Sequence, residues 1–350
     1  MSDIETAGRV CAMVQAAYER NTPLEIIGGG SRRHFGREPL GEPLVLAPHR
    51  GIVAYEPSEY VITVRAGTPI VDVEAAVAAH GQVLAAELPR ASGESTIGGA
   101  VALGLTGPSR PYAGSLRDAV LGVRIVTGTG QLLRFGGQVL KNVAGFDVSR
   151  LMVGAYGTLG VVMEVSLRLH PRPEEGAVRV LACDWAGARA RLLDWAGRLP
   201  LTGACYARGL LYLRLAGRAA TVGQAVREIG GEAGSADTFS AVRDLRLEAL
   251  GVPATALWRL LVPPAAPLDP PESVADWGGA QRFWATEESA GAVHAQAARL
   301  GGQAMRLSGP DRHEDVWATP VPATMALYGR VKAVLDPRGI LNRGRLSAMW

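Results

Sequence analysis

Three consecutive glycines and a serine, Gly28 to Ser31, follow directly on the apolar run LEII, and what comes after them limits what this chain can fold into. A dinucleotide fold of the Rossmann type needs a glycine loop that opens a helix. Here Gly36, Pro39, Gly41 and Pro43 forbid that helix. A P-loop NTPase needs the ending GK[ST], which the segment EIIGGGSRRHFG lacks. Bare backbone N–H groups can still meet a pyrophosphate where a side chain would block the approach. Taken alone, GGGS fits such a loop or a plain tight turn.

Two further clusters bear on the choice. In ASGESTIGGAVALGLTGPSRPYAG, from Ala91 to Gly114, Ser95 and Thr96 precede Ile97, Gly98, Gly99 and a short apolar segment, so hydroxyls and bare backbone stand at the start of a helical turn. In KNVAGFDVSRLMVGAYGTLGVVMEV, from Lys141 to Val165, Gly154, Gly157 and Gly160 recur at spacings of three before an apolar strand. Close helix-strand packing accounts for that third cluster equally well.

Composition narrows the function classes. With 350 residues the chain is long enough for two domains, and 48% hydrophobic with 20% charged residues is the balance of a globular protein without a membrane-spanning run. The N-terminal stretch carries Asp3 and Glu5 and spaces its apolar residues as an amphipathic helix, unlike a signal peptide, which points to the cytoplasm. Cys11, Cys183 and Cys205 form no CxxC pair, and the six histidines form no HxH or HExxH, so no metal site is expected. A net charge of +3 and 6% aromatic residues argue against nucleic acid and leave an anionic cofactor compatible.

The composition changes near residue 171. All seven tryptophans lie after HPRPEEG, which starts at His170, and this marks a domain boundary. Before it, LEII, LVLA, YVITVRAG and VVMEVSLRLHP read as strands, VRIVTGTGQLLRF as a hairpin, and VDVEAAVAAH as a helix with Thr68 as N-cap and Gly81 as stop. After it, strands VRVLAC, GLLYLRLAG and ALWRLLV alternate with helices ARARLLDWAGRL, TVGQAVREIG and SAGAVHAQAARLGG, broken by the loop VPPAAPLDPPES. The tail RVKAVLDPRGILNRGRL reads as a helix end, a turn and a short loop.

Together the three glycine clusters and the tail DPRGILNRGRL resemble the vanillyl-alcohol oxidase / p-cresol methylhydroxylase family, with a closer likeness still to flavin-binding subunits of bacterial glycolate-oxidising dehydrogenase complexes. The likeness covers residues 24–171 and 330–346. It implies an α+β protein with a two-lobed PCMH-type FAD-binding domain over 1–171, an α+β cap domain over 172–329, and a tail over 330–350 returning to the FAD domain. By the same resemblance Gly28, Gly29, Gly30 and Ser31 would hold the FAD pyrophosphate, and Ser95, Thr96, Gly98 and Gly99 would meet it from the other lobe. Gly157, Gly160 and Val162 would lie along the adenosine half, Asn342 would approach the flavin ring, and Arg110 and Tyr112 would pass near it.

The sequence also departs from the family. Members with covalent flavin have a histidine directly after the glycine loop, and this chain has Ser31 there, so non-covalent FAD is expected. Catalytic subunits acting on 2-hydroxy acids carry an HxH metal pair in a longer cap, and none is found here. No catalytic base can be named from spacing: His294 sits in an apolar helical pattern as a structural residue, and His313 in GPDRHEDVW is the more polar candidate. The resemblance therefore implies an FAD-binding oxidoreductase subunit, partnered by a larger flavin-containing subunit and an iron-sulfur subunit, acting on a small 2-hydroxy acid at the level of the complex. It has no transmembrane segment of its own, and peripheral contact with the inner face of the plasma membrane would come through those partners. The alternatives are a self-sufficient FAD-dependent dehydrogenase of a small hydroxy acid and a flavin-free assembly subunit.

Overall fold

The computed structural model describes residues 3–137, 147–253, 256–309, 312–313 and 315–348, so the Lys141–Phe146 part of the third glycine cluster lies outside the described residues. The chain forms two compact units. The first comprises 1–105, 116–171 and 319–350, and the second comprises 106–115 and 172–318.

The first unit holds strands β1 (Leu24–Ile27), β2 (Glu42–Val45), β3 (Ile52–Glu56), β4 (Val61–Arg65), β5 (Gln82–Leu84), β6 (Val120–Val126), β7 (Leu132–Gly136) and β8 (Val161–Pro171). β1 and β2 pair in parallel, while the others form one sheet in the order β3-β4-β8-β6-β7, with β5 also on β8. The helix Asp3–Arg20 places Ala7, Val10, Val14 and Ala17 on one stripe, and this stripe closes a core with Leu24, Leu44, Val126, Val161, Ile340 and Leu341. A second core covers the larger sheet with the helices Ile70–Ala78 and Ile97–Leu103.

β8 is central and buried along most of its length, which is why its sequence is a near-continuous apolar run. Its one buried carboxylate, Glu164, faces Arg124 at 2.7 Å and Arg134 at 3.6 Å, and the Ser166 hydroxyl shares a 2.8 Å hydrogen bond with Thr63. Thr68 does not cap the following helix. Pro69 stands at the N-cap, and the Thr68 hydroxyl is used by the turn before it, accepting from Gly51 N and donating to Arg65 O.

The tail belongs to this unit through backbone and charge. Leu24 N donates to Ile340 O at 2.8 Å, and Asn342 N to Leu24 O at 2.9 Å, so the tail runs beside β1 like an extra strand. It is fixed there by a sealed ion pair at the end of the helix Pro322–Leu335. Lys332 and Asp336 are 6% and 1% exposed; the ammonium donates to Asp336 at 2.7 Å and to Leu341 O at 3.2 Å, while the carboxylate accepts from Ile340 N and Leu341 N. Burial pulls the Lys332 ammonium below its usual range, and Asp336 opposes that shift.

The second unit is one antiparallel sheet of eight strands: β9 (Glu175–Ala182), β10 (Leu201–Ala207), β11 (Leu210–Gly217), β12 (Glu232–Ala233), β13 (Leu257–Leu261), β14 (Val274–Asp276), β15 (Gln281–Ala285) and β16 (Gln303–Arg306), in the order β12-β9-β11-β10-β14-β15-β13-β16. The helices Trp185–Trp195, Ala219–Ile229 and Ala290–Arg299 pack against apolar side chains of this sheet, among them Leu211, Leu213, Leu215, Trp258 and Leu260. Residues 106–115 are a correction to the expected boundary, which placed them in the first domain. The Trp277 indole donates to Gly107 O at 3.0 Å and the Arg110 guanidinium lies 4.3 Å from the Trp277 ring, so this stretch clusters with the second unit. The returning segment likewise starts at 319 rather than 330.

Removing one member of a buried pair leaves the other charge uncompensated, at a cost of about 3–5 kcal/mol. Lys332→Met should therefore lower the unfolding free energy of the first unit by about that amount in a urea titration. The double change Lys332→Met with Asp336→Asn should recover part of the loss, because it removes the unpaired buried charge while the amide oxygen keeps one of the two acceptor roles toward Ile340 N and Leu341 N.

Candidate functional site

β1 ends at Ile27 and delivers Gly28 to Ser31 against a second loop that runs from Pro89 into the helix Ile97–Leu103. Two adjoining cavities of about 110 and 50 Å3 open there, and both are lined by Gly28, Thr96, Gly99 and Asn342. The larger adds Gly29, Gly30, Ser31 and Ser95, and the smaller adds Gly98, Gly157, Gly160 and Val162. Twelve of the fourteen residues named from the sequence thus line one cleft of the first unit. Arg110 and Tyr112 do not, because they belong to the second unit.

Each loop is held by its own hydrogen bonds. Thr96 caps the helix by accepting from Gly99 N at 3.2 Å. The Ser95 hydroxyl accepts from Ala91 N at 3.0 Å and shares a 2.9 Å hydrogen bond with the Ser31 hydroxyl, which ties the two loops together. The Asn342 amide accepts from Ile26 N at 2.7 Å and donates to Tyr156 O at 2.6 Å, so its side chain joins the tail, β1 and the third glycine cluster at one point. Among the described residues, no protein acceptor takes the backbone N–H of Gly28, Gly29, Gly30 or Ser31. Four consecutive donors with no internal use, beside two serine hydroxyls, suit a ligand with several anionic oxygens.

The reason for the glycines is only partly the one the sequence suggested. A Cβ on Gly29 would lie 1.6 Å from Glu94 O, one on Gly28 2.5 Å from the Thr96 hydroxyl, and one on Gly98 2.7 Å from the Ala66 Cβ. At these three positions the bare backbone makes room for the protein itself. Gly30 is different: its φ is +70°, and an added Cβ would meet nothing within 4 Å. The cradle that a side chain could fill is therefore at Gly30. In the third cluster, a Cβ on Gly157 would lie 2.7 Å from the Asn342 amide and one on Gly160 3.0 Å from Ile125, which is close packing.

Sequence reasoning missed the charged rim of the cleft. Arg32, Arg33 and Arg345 line it with Glu25, a 6% exposed carboxylate that the Arg33 guanidinium holds at both oxygens. Arg345 donates to Arg33 O at 2.8 Å and Arg37 O at 3.1 Å, so the tail also pins the loop after the glycines. Three guanidiniums against one carboxylate favour an anion, and the arginine pair directly after GGGS was the available signal. The residues present therefore fit the pyrophosphate part of a dinucleotide.

In the second unit, Tyr112 has its phenol pushed up to about 12 by burial and by the Asp276 carboxylate, although 38% of the residue remains exposed. Asp276 accepts from Trp277 N at 2.8 Å and from the Gln281 amide at 3.1 Å, and Gln281 accepts from Arg259. His294 is half-buried with its ring edge-on to Trp258 at 5.3 Å, and His313 is exposed. Cys11, Cys183 and Cys205 are free thiols, each pushed up by burial. Among the described residues no group of three or more His, Cys, Asp or Glu is placed to hold a metal ion, and no helix is long and apolar enough to cross a membrane.

Residues 4–136 match the family described as FAD binding domain, and with the relative below this sets the chain among the FAD-dependent oxidoreductases. The chain is 42% identical to the glycolate oxidase subunit GlcE of Escherichia coli (strain K12) over 339 residues, 96% of this chain and 95% of the relative, and it belongs to that family. The glycolate oxidase subunit GlcD of Bacillus subtilis (strain 168) is 34% identical over 158 residues, 45% of this chain and 33% of that protein. A crystal structure of alkyldihydroxyacetonephosphate synthase shares the fold, with a TM-score of 0.65 at 15% identity, covering 95% of this chain and 73% of that one. The α+β, PCMH-type architecture expected from the sequence is the one observed.

The glycine geometry gives a graded expectation. Gly30→Ala meets no clash and should lose only about 1–2 kcal/mol, the cost of a left-handed conformation in a residue with a Cβ. Gly29→Ala must push the Glu94 backbone away and should lose clearly more. Urea unfolding midpoints of the two variants check the order.

Proposed function

We propose that this chain is the FAD-binding subunit of a glycolate-oxidising dehydrogenase complex, holding FAD without a covalent bond and passing electrons to an iron-sulfur subunit beside a larger flavin-containing subunit. The observation that carries this reading is the convergence of the two loops on one cleft, where Gly28 to Ser31, whose N–H groups meet no acceptor among the described residues, lie beside the Ser95–Gly99 segment. Likeness to GlcE over nearly the whole length supports the substrate class, a small 2-hydroxy acid at the level of the complex.

In this reading Gly28, Gly29, Gly30 and Ser31 hold the pyrophosphate by backbone donors, with the Ser31 and Ser95 hydroxyls completing the cradle. Gly98, Gly99 and Thr96 lie across from them, Gly157, Gly160 and Val162 flank the adenosine half, and Asn342 keeps the cleft closed at the tail. By the family resemblance Arg110 and Tyr112 are flavin-side residues. When bound, FAD supplies the two-electron oxidation, and the protein's part is to position it. Ser31 occupies the place after the glycines and is engaged with Ser95, which supports a dissociable cofactor. Three separate thiols, all pushed away from the thiolate form, support an electron acceptor outside this chain. Free cysteines also support a reducing, cytoplasmic setting, with any contact to the membrane surface made through partners.

The visible spectrum of the purified chain tests the cofactor. Flavin absorbance should appear and move wholly to the supernatant on acid precipitation; a colourless chain that takes up no added FAD would refute the reading. The cradle is tested at Gly30, where Asn and Asp both tolerate the left-handed backbone. Gly30→Asp places a carboxylate beside the pyrophosphate and should weaken FAD at least about tenfold, while the uncharged Gly30→Asn stays closer to the parent.

A further inference from the structure

The helix Pro322–Leu335, PATMALYGRVKAVL, contradicts its surroundings. Its only buried residues are Lys332 and Leu335, yet most of the rest is apolar. Val334 is 79% exposed, Leu327 49% and Tyr328 44%, with Val321 before the helix at 66%. Ala323, Leu327, Arg330 and Val334 fall on one face, three turns long or about 16 Å. Beside that face lies an open groove of about 650 Å3, floored by the small residues Ala326, Gly329 and Ala333 and walled by Pro337, Arg338 and Arg343. A helix with this much apolar surface is normally covered.

The exposed charge carried by this segment of the chain is of one sign. Between 319 and 348 the only acidic residue is Asp336, which is sealed inside. Arg338 donates to the carbonyls of Tyr18 and Glu19, and Arg343 to Gly339 O and Arg338 O; among the described residues neither they nor Arg330 is paired with a carboxylate. A second copy docked here by two-fold symmetry would set arginine against arginine. A lipid surface is a poor match, since interfacial helices carry Lys or Arg along the helix with Trp or Phe beneath, and this helix has one exposed cation and neither aromatic.

We infer that the exposed face of the helix Pro322–Leu335, with its groove and arginine rim, is the surface by which this chain docks an acidic, apolar surface of another subunit. The inference rests on the complex proposed above. The small residues admit a close-lying partner helix, Leu327 and Val334 supply the contact, and Arg330, Arg338 and Arg343 meet its carboxylates.

The test uses the full chain with the larger flavin subunit and the iron-sulfur subunit, each purified, and measures affinity by biolayer interferometry. Two variants are compared with the parent: Leu327→Ser with Val334→Ser, and Arg330→Glu. Because these side chains are exposed, both should melt within about 2 °C of the parent and keep its flavin content. One of the two subunits should bind the parent and lose at least about tenfold in affinity to each variant. Parent binding should weaken as salt rises from about 50 to about 300 mM. Variants that bind both subunits as the parent does would overturn this inference and leave the complex standing. A parent that binds neither subunit would overturn both. The surface would be reassigned, and the inference lost, if the variants abolished self-association in sedimentation, or binding to phosphatidylglycerol vesicles, while subunit affinity stayed unchanged.

Discussion

An ammonium and a carboxylate one helical turn apart, both shut away from water, set the position of everything near the cofactor cleft. Lys332 and Asp336 hold the backbone of Ile340 and Leu341, which lies along β1, and β1 ends in the glycines. The pair is justified by how fully it is satisfied, since a buried ion pair adds little stability of its own. What it supplies is position: the Asn342 amide reaches Ile26 and Tyr156 only because the residues before it are fixed, and Arg345 then reaches the carbonyls of Arg33 and Arg37.

Much of this was legible in the sequence where one periodicity ran long enough. VVMEVSLRLHP reads as a buried strand and is one, residue for residue. The three long helices of the second unit announce themselves by apolar spacing, with Asp184 and Ser289 capping two of them. Short strands were not legible. Gln82–Leu84 and Val274–Asp276 are three residues each, too few to show alternation, and they exist because a neighbouring edge was available. Thr68 looked like a cap because a hydroxyl before Pro69 fits the pattern, and the preceding turn claimed it instead.

For the cleft, the sequence located the residues but misjudged why several of them are glycine. A loop that touches a ligand and a loop that touches another loop both demand bare backbone, and spacing cannot separate them. Gly28, Gly29 and Gly98 answer to Thr96, Glu94 and Ala66, while Gly30 alone faces open space. Arg110 and Tyr112 fall in a different unit from the one expected for a separate reason. The ten residues from 106 to 115 follow the second loop without a break in composition, and partners far along the chain, the buried Trp277 and the strand Leu201–Ala207, draw them to the other unit.

The cleft is assembled from residues far apart in the sequence, Gly28 to Ser31 on one side and Asn342 with Arg345 on the other. During synthesis, a nascent chain can form β1 and both glycine loops long before residue 342 exists. Until then Ile26 N and Tyr156 O have no amide to meet, and the loop after Ser31 has nothing behind it. The cleft is thus complete only after residue 345 has left the ribosome, long after both of its glycine loops have been made.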